Sequence, residues 1–485
     1  MPSAKIPSEL DELRALLPPS EVFVPGQQEY KNQSLPWSRH AEQNPKLVVQ
    51  PTTLESLQEV IRYLYTSDLD FAIRNTGTGS VSASDVLVSM HGFKSFAFDE
   101  ASESVIVGAG LDWGEVDKLM EAQATGYAVV GARCPWVGVT GSTLVGGLSW
   151  LSHEYGMISD PQNLLDAQVV LGDGKLVWAA KGEEDLMWAL RGGGGNFGVV
   201  TALKFRVRPY PAKIFGGILS IPYSSLHEVS KGVAAMAART ADPRIAMHVM
   251  NQGPGMGMPD QGSKPNIALM LFDAHGEKHA RSESGFAWAF STTGAQEVSA
   301  GTMSLQQMHA LTETFRDYQG GSIFWLTAPL LEGRLDDMAL VRAWKWYEDT
   351  IALYPGFGDG STVLLEFMQE NAFNSSPSRS STAWPHSGHK HVMQVVVGCK
   401  TSGTPIPDIK GKAHIRLAAV MPEVAGSKAT KEYHAGFLNE FNDISEVYGE
   451  NYERLREVKK RYDPQNRFNR GVDLVAGKVT DNMTV

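Results

Sequence analysis

The sequence predicts an α+β fold in two unlike parts, and three observations support this. Residues 45–110 alternate strand and helix signals. From about residue 215 the texture changes to long strand-like runs with helical stretches among them, the pattern of an antiparallel sheet covered by helices. The chain has 485 residues, enough for two or more domains with substantial cores.

In chain order, "PTTLESLQEVIRYLYTSDLD" (51–70) places Leu54, Leu57, Val60, Ile61 and Leu64 on one helical face, with Thr53 as N-cap. "FAIR" then reads as a short strand, and "DVLVSM" (85–90) and "SVIVGAG" (104–110) as two more. "LLDAQVVLGDGKLVWAA" (164–180) reads as two strands about the turn "GDG". "GEEDLMWALRG" (182–192) is a short helix with acids in its first turn and Gly192 near its C-cap. In "VVTALKFRVRPY" (199–210) Val199, Thr201, Leu203, Phe205 and Val207 face one way and Lys204, Arg206 and Arg208 the other, so a half-buried strand is expected, stopped by Pro209. Beyond 215, strands are expected at 245–251, 266–273, 322–329, 361–369 and 391–398, a helix at 338–354, and loops at 253–262 and 374–385. "NYERLREVKKRYDPQNRF" (451–468) is helical to about Tyr462, with Tyr452, Leu455, Val458 and Tyr462 as its apolar stripe and "DP" ending it.

Charge and composition narrow the function. Lys plus Arg number 43 and Asp plus Glu 54, a net charge of −11, which disfavours a general nucleic-acid or membrane-surface binder. No apolar run reaches about 18 residues. The N-terminus carries acids and no apolar h-region, so a cytoplasmic protein is expected. Two cysteines, Cys134 and Cys399, fit a reducing compartment and cannot build a zinc site unaided.

Three glycine-bearing stretches fall in the first 200 residues: "RNTGTGS" (74–80), "GARCPWVGVTGSTLVGG" (131–147) and "RGGGGNFG" (191–198). Glycine permits positive φ and close backbone approach, and runs of amide N–H groups make concave anion sites. Singly each is as well read as an ordinary turn; together they can cradle a pyrophosphate without a lysine. The third contains a literal GxGxxG, but a helix precedes it and a strand follows. That reverses the order a dinucleotide fingerprint requires.

"GARCPWVGVTG", "LSHEYGM", "DLMWALRGGGGNFGVVTALKFRV" and the terminal "NYERLREVKKRYDPQNRF" resemble the berberine-bridge-enzyme-like FAD-linked oxidases of the vanillyl-alcohol-oxidase, or PCMH-type, superfamily. The resemblance runs over about 45–210 and 433–470. It implies an FAD-binding domain at 1–215, completed by 436–485, and a substrate domain with an antiparallel sheet at 216–435. It also implies FAD as cofactor, contacted by Arg74, Asn75, Thr76, Gly77, Thr78, Gly79 and Ser80 in the first stretch. In the second stretch the implied contacts are Cys134, Val137, Gly138, Gly141, Ser142, Gly146 and Gly147. Gly198, Val200 and Asn451 complete the set. The family's flavin-bearing histidine is matched here by Thr78, so no histidyl link is expected. Cys134 matches a cysteine that many relatives join to the flavin; it is either a single thioether or a free thiol beside dissociable FAD, with Arg133 favouring a thiolate. Ser142 stands at a common histidine position and Val145 at a common glycine, and "ISDPQN" (158–163) looks longer than its counterpart.

Glu366, His386, Glu440 and Tyr448 are candidates for chemistry, with Asn439 beside Glu440. Glu366, a lone acid in the apolar "VLLEFM", is either a base with a pKa raised by desolvation or an ion-pair partner. The family's aromatic-Pro-His segment is matched by "WPHSGHKH", which offers His386 as a site-lining histidine. A metal trio of His386, His389 and His391 is awkward on a strand, and no metal is expected. Asn439 and Glu440 in "FLNEFND" match a substrate-facing segment, and Tyr448 is either a site residue or a core aromatic. The expected function is FAD-dependent oxidation or dehydrogenation of a hydrophobic small molecule, of the secondary-metabolite type, by hydride transfer to flavin N5. O2 is a candidate acceptor, and ring closure can be coupled to the oxidation. The alternative is a redox-neutral isomerase or cyclase on the same FAD-bound fold.

Overall fold

The computed structural model describes residues 8–239, 242–252, 265–327, 330–331, 335–353, 360–367, 369–375, 378–388, 391–399 and 433–480. Its N-terminal half holds two sheets. The first has four strands in the order Val22–Phe23, Leu47–Val49, Val86–Ser89, Phe71–Arg74, and the last three run parallel. Between two of them the Leu54–Thr66 helix starts at Thr53, whose hydroxyl accepts from the Ser56 amide at 3.1 Å. Leu57, Val60, Ile61 and Leu64 are buried, as the helical spacing predicts. The second sheet is antiparallel, in the order Phe96–Asp99, Ser104–Gly108, Val199–Pro209, Leu164–Val170, Leu176–Trp178, with Tyr127–Val129 also on the long central strand.

The third sheet has eight strands and is antiparallel. Its main path is Gln296–Met303, Ile214–Ile221, Asn266–Asp273, Ile245–Gln252, Thr362–Phe367, His391–Cys399, Ser322–Thr327. Two of these strands escape the sequence reading for physical reasons. Ile214–Ile221 carries Gly216 and Gly217, which weaken a strand signal, and Gln296–Met303 is an edge strand, largely exposed and without an apolar face.

Period-two alternation decides what each face of this sheet does. Met247, Val249, Leu269, Leu271, Val363, Leu365, Met393 and Val395 pack in one core with Val229, Val233, Leu340 and Trp344 of the covering helices Leu226–Arg239 and Ala339–Leu353. The intervening residues His248, Met250, Met270, Leu364, Glu366, Gln394 and Val396 look the other way, toward the N-terminal half. His391 shares the helix-covered face and packs its ring on Phe367, with centroids 4.9 Å apart. It therefore does not line a site on the opposite face.

The chain ends back on the N-terminal half. The Tyr452–Tyr462 helix buries Leu455, Val458 and, unexpectedly for a charged residue, Lys459. The following loop carries Phe468 against Phe71 and Tyr65. Among the described residues no helix is long and apolar enough to cross a membrane.

Candidate active site

Two cavities meet inside the molecule. The first, about 1100 Å³ and continuous with solvent, is bounded by Phe71–Gly79, by residues between Val137 and Val145, by Gly195 and Gly198–Val200, and by Arg467, Phe468, Arg470 and Gly471. The three glycine stretches, far apart in sequence, thus converge on one cleft. The second, about 1040 Å³ with the open solvent at its mouth included, lies between the cleft and the inner face of the eight-stranded sheet. Thr78 and Val137 line both.

Not every expected contact reaches the cleft. Arg74, Asn75, Thr76, Gly77, Thr78, Gly79, Val137, Gly138, Gly141, Ser142, Gly198 and Val200 line it. Ser80 instead turns away at φ +55°, its hydroxyl accepting from the Ser38 amide at 3.0 Å. Gly146 and Gly147 serve packing: a Cβ on Gly146 would fall 2.6 Å from the Trp384 ring, and one on Gly147 2.6 Å from Ile158. Asn451 donates to the carbonyls of Arg379 at 2.8 Å and Thr382 at 3.0 Å, and so fixes a loop rather than lining the cleft. Arg467 and Arg470 were missed; the signal was two arginines in the loop straight after the terminal helix.

The cleft residues fit a dinucleotide diphosphate. The Arg74 guanidinium is buried and donates to the Leu35 and Thr76 carbonyls; among the described residues it pairs with no carboxylate, and its Nε and other terminal nitrogen find no hydrogen-bond partner. Burial alone pushes its pKa down to about 10, a cost that an anion would remove. Asn75 leaves its Oδ1 buried and unpaired. Gly141 and Gly195 line the cleft, and a Cβ on either meets no protein atom within 4 Å, so it would project into the space a cofactor takes. Ser142, at the common histidine position, accepts from Trp113 Nε1 at 2.9 Å and donates to the Gly138 carbonyl at 2.8 Å.

The second cavity has an aromatic end and a polar end. Trp37 and Trp136 stack with centroids 5.6 Å apart, and Phe315 meets Trp136 edge-on at 6.4 Å. Met250, Met270, Ile323, Leu364, Val396 and Phe437 continue the apolar wall. Trp37 is held from both halves, its amide donating to the Gly77 carbonyl at 3.1 Å and its carbonyl accepting from the Gly320 amide at 2.8 Å. At the polar end stand Arg133, His248 and Gln394. No Asp, Glu or Lys is among the described residues lining this cavity.

Glu366 sits behind that polar end. It is fully buried and ion-paired to Arg133, and Gln394 Nε2 donates to its Oε1. It is therefore an ion-pair partner holding two wall residues, not a base open to substrate. Arg133 also lies 3.2 Å from His248 Nε2, so that nitrogen accepts, and the ring stacks on Trp150 with centroids 4.0 Å apart. Burial, followed by the Arg133 charge, pushes the His248 pKa well below its ordinary value and keeps it neutral. Sequence reasoning missed His248 because one histidine in a Met-rich strand reads as core.

The other candidates for chemistry lie elsewhere. His386 is buried, donating Nδ1–H to the Trp384 carbonyl at 2.9 Å with Nε2 3.1 Å from the buried Asp160. Burial opposes its charge, but Asp160 outweighs burial and raises its pKa. The pair ties the 158–163 segment to the 384–388 segment and lines neither cavity. Tyr448 is buried, donates to the Gly192 carbonyl at 3.3 Å and is a core aromatic. Glu440 is exposed, and Asn439 is buried with its Oδ1 accepting from the Phe441 amide; neither lines a cavity. His389, and with it the notional histidine trio, lies outside the described residues. Cys134 lines the second cavity next to the junction. Burial raises its thiol pKa more than Arg133 lowers it, and the nearby Glu366 charge adds to the rise. The expectation of a thiolate favoured by Arg133 is thereby corrected.

Two further buried histidines set an acid limit. His153 donates Nδ1–H to the Ile245 carbonyl at 2.8 Å and is pushed by burial down to about 4; His434 is pushed by burial, with Arg133 and His386 adding, down to about 3. Both folded values lie below the ordinary 6.5, so the unfolded chain binds more protons once pH drops under that value. Their stabilisation is complete above about pH 6.5 and is lost as pH falls toward 4 and then 3. His386, whose folded value is raised, acts in the opposite sense and offsets part of it. The urea midpoint is expected to fall steadily from pH 7 to pH 4, and His153→Gln to flatten that slope.

Comparisons with known proteins agree with this geometry. A family model described as "FAD binding domain" matches residues 45–180, and one described as "Berberine and berberine like" matches residues 437–470. The (R)-6-hydroxynicotine oxidase of Paenarthrobacter nicotinovorans is 23% identical over 466 residues, covering 94% of this chain and 96% of that protein. An FAD-linked oxidoreductase of Dictyostelium discoideum is 28% identical over 254 residues; the match covers 49% of this chain and spans only 55% of that relative's length. The solved structure of Physcomitrella patens BBE-like 1 shares the fold, with a TM-score of 0.79 at 20% identity over 94% of this chain and 97% of that one. With a cleft suited to a dinucleotide and both matched segments facing it, the chain carries the FAD-binding domain and the berberine-like segment found together in berberine-bridge-enzyme-like FAD-linked oxidoreductases, and its cofactor is FAD.

Proposed function

We propose that this protein oxidises a hydrophobic, aromatic small molecule of the secondary-metabolite type, bound in the second cavity. One observation carries the reading: an aromatic-walled cavity with no carboxylate or lysine among its described lining residues opens onto the cofactor cleft at Thr78 and Val137. Bound FAD supplies a two-electron acceptor at that junction, and O2 is its natural reoxidant. The chain's own residues bind and orient. Arg74 and the glycine-bearing backbone hold the diphosphate, Trp37 and Trp136 hold an aromatic ring, and Phe315 closes its edge. Arg133, fixed by Glu366, offers a donor to an acceptor atom on the substrate. The preferred substrate therefore has an apolar body and one oxygen or nitrogen acceptor. Anaerobic mixing with a panel of such compounds should bleach the flavin. Turnover without bleaching would instead establish the redox-neutral chemistry.

The tether follows from two residues. Thr78 has a hydroxyl where the histidyl bond would form, and burial pushes the Cys134 thiol up, away from the nucleophilic thiolate. Acid precipitation is expected to leave the yellow colour in the supernatant. Colour in the pellet that disappears in Cys134→Ala would establish a thioether and overturn this part of the reading.

A further inference from the structure

On the substrate half, outside both cavities, three ligand-type side chains gather at adjoining turns. Asp242 lies just before the Ile245–Gln252 strand; His275 and His279 lie just after the Asn266–Asp273 strand, His279 within the Glu277–Ala280 turn of helix. The histidines are four residues apart, a spacing that recurs in zinc sites. One ring nitrogen of each histidine and an Asp242 carboxylate oxygen all lie within 4.8 Å of one another, with Asp242 Oδ2 3.1 Å from His275 Nε2 and 4.0 Å from His279 Nε2. Tetrahedral bonds of about 2.0–2.1 Å place ligand atoms about 3.4 Å apart, so small side-chain shifts close the set around one ion.

A fourth residue makes this more than a surface hydrogen bond. Asp273 is fully buried at the end of its strand and accepts from His279 Nδ1 at 2.7 Å, and its Oδ1 accepts from the His275 amide at 2.8 Å. With Nδ1 donating, the neutral His279 ring must carry its lone pair on Nε2, the nitrogen 4.0 Å from Asp242 Oδ2. A carboxylate behind a histidine in this way is the outer-shell arrangement that fixes the tautomer of a metal ligand.

We propose that Asp242, His275 and His279 bind one divalent transition ion of the zinc class, with Asp273 positioning His279. Two imidazoles and one carboxylate suit zinc, cobalt or nickel better than calcium or magnesium, which take oxygen ligands. A fourth position is left for water. The ion would clasp the turn before one strand of the eight-stranded sheet to the turn after its neighbour, away from the flavin.

Chelator-treated, untagged holoenzyme titrated with Zn²⁺ in a calorimeter tests this. One saturable ion per chain is expected, with flavin absorbance unchanged. Binding should vanish in the His275→Ala/His279→Ala double variant. Asp273→Asn, which leaves all three ligands in place, should weaken it by about 10- to 100-fold. Because Asp273 is buried and that variant can fail to fold, the part-exposed Asp242→Asn provides a second check: lost zinc affinity with an unchanged melting temperature of the metal-free protein. Absence of saturable binding, or equal binding by the double variant, overturns the proposal.

Discussion

Glu366→Ala is expected to lower stability by about 3–5 kcal/mol, among the largest single effects in this protein. The Glu366 side chain is wholly buried and its partner Arg133 is 12% exposed, so truncation strands a desolvated guanidinium beside a neutral histidine. His248 cannot take the place of the lost carboxylate, because burial and the Arg133 charge both oppose its protonation. Gln394 loses one acceptor, Glu366 Oε1, at the same time. Denaturant midpoints of the holoenzyme measure the loss. The partner experiment is Arg133→Met with Glu366→Leu: apolar replacement of a whole buried pair is often neutral or stabilising, so the double variant should recover most of the midpoint. Activity should not recover with it, since the polar end of the second cavity, where substrate is proposed to bind, is gone. If Glu366→Ala kept the wild-type midpoint, Arg133 would not be buried against it and the wall would need rebuilding.

That network shows where sequence reading reaches and where it stops. Glu366 stood out as one acid in an apolar run, and period two places it with Leu364 and places His391 with Met393 and Val395, the faces the sheet shows. Its role depends on Arg133, which arrives from a loop 233 positions earlier, and no local pattern encodes that meeting. The same holds for the cleft. Glycine content marked the three stretches, but whether a given glycine faces a ligand or a neighbouring ring is decided by tertiary approach. Gly141 opens onto the cleft, whereas Gly146 makes room for Trp384. Asn451 and Tyr448 carry the family pattern yet hold backbone carbonyls of other loops. Polar groups of this kind, buried to satisfy a distant main-chain atom, look in sequence like site residues.

Lys459→Met should give the second large effect, and on cofactor retention as well as on stability. The Lys459 ammonium is fully buried, paired with Asp463 at 2.6 Å, and donates to the Asn196 carbonyl at 2.9 Å and the Phe468 carbonyl at 2.8 Å. Burial lowers its pKa, with Asp463 resisting. Asn196 lies between Gly195 and Gly198 of the third glycine stretch, and Phe468 belongs to the loop that carries Arg467 and Arg470; both segments wall the cofactor cleft. One cation thus joins two walls of the cleft, and Asp463 reinforces the joint by accepting from the Arg467 amide at 2.9 Å and the Phe468 amide at 2.7 Å. Methionine matches the length of the chain but leaves a buried carboxylate without its counter-charge, a loss of about 3–5 kcal/mol. If about 1.4 kcal/mol of that falls on the cleft, FAD dissociates about tenfold more readily. The adjacent Lys460 supplies the control: its side chain is 60% exposed and, among the described residues, paired with Glu457 alone on the same helix, so Lys460→Met should change stability by less than about 0.5 kcal/mol and leave FAD affinity alone. Equal behaviour of the two variants in denaturation and in FAD titration would mean that the clasp does not hold the cleft together.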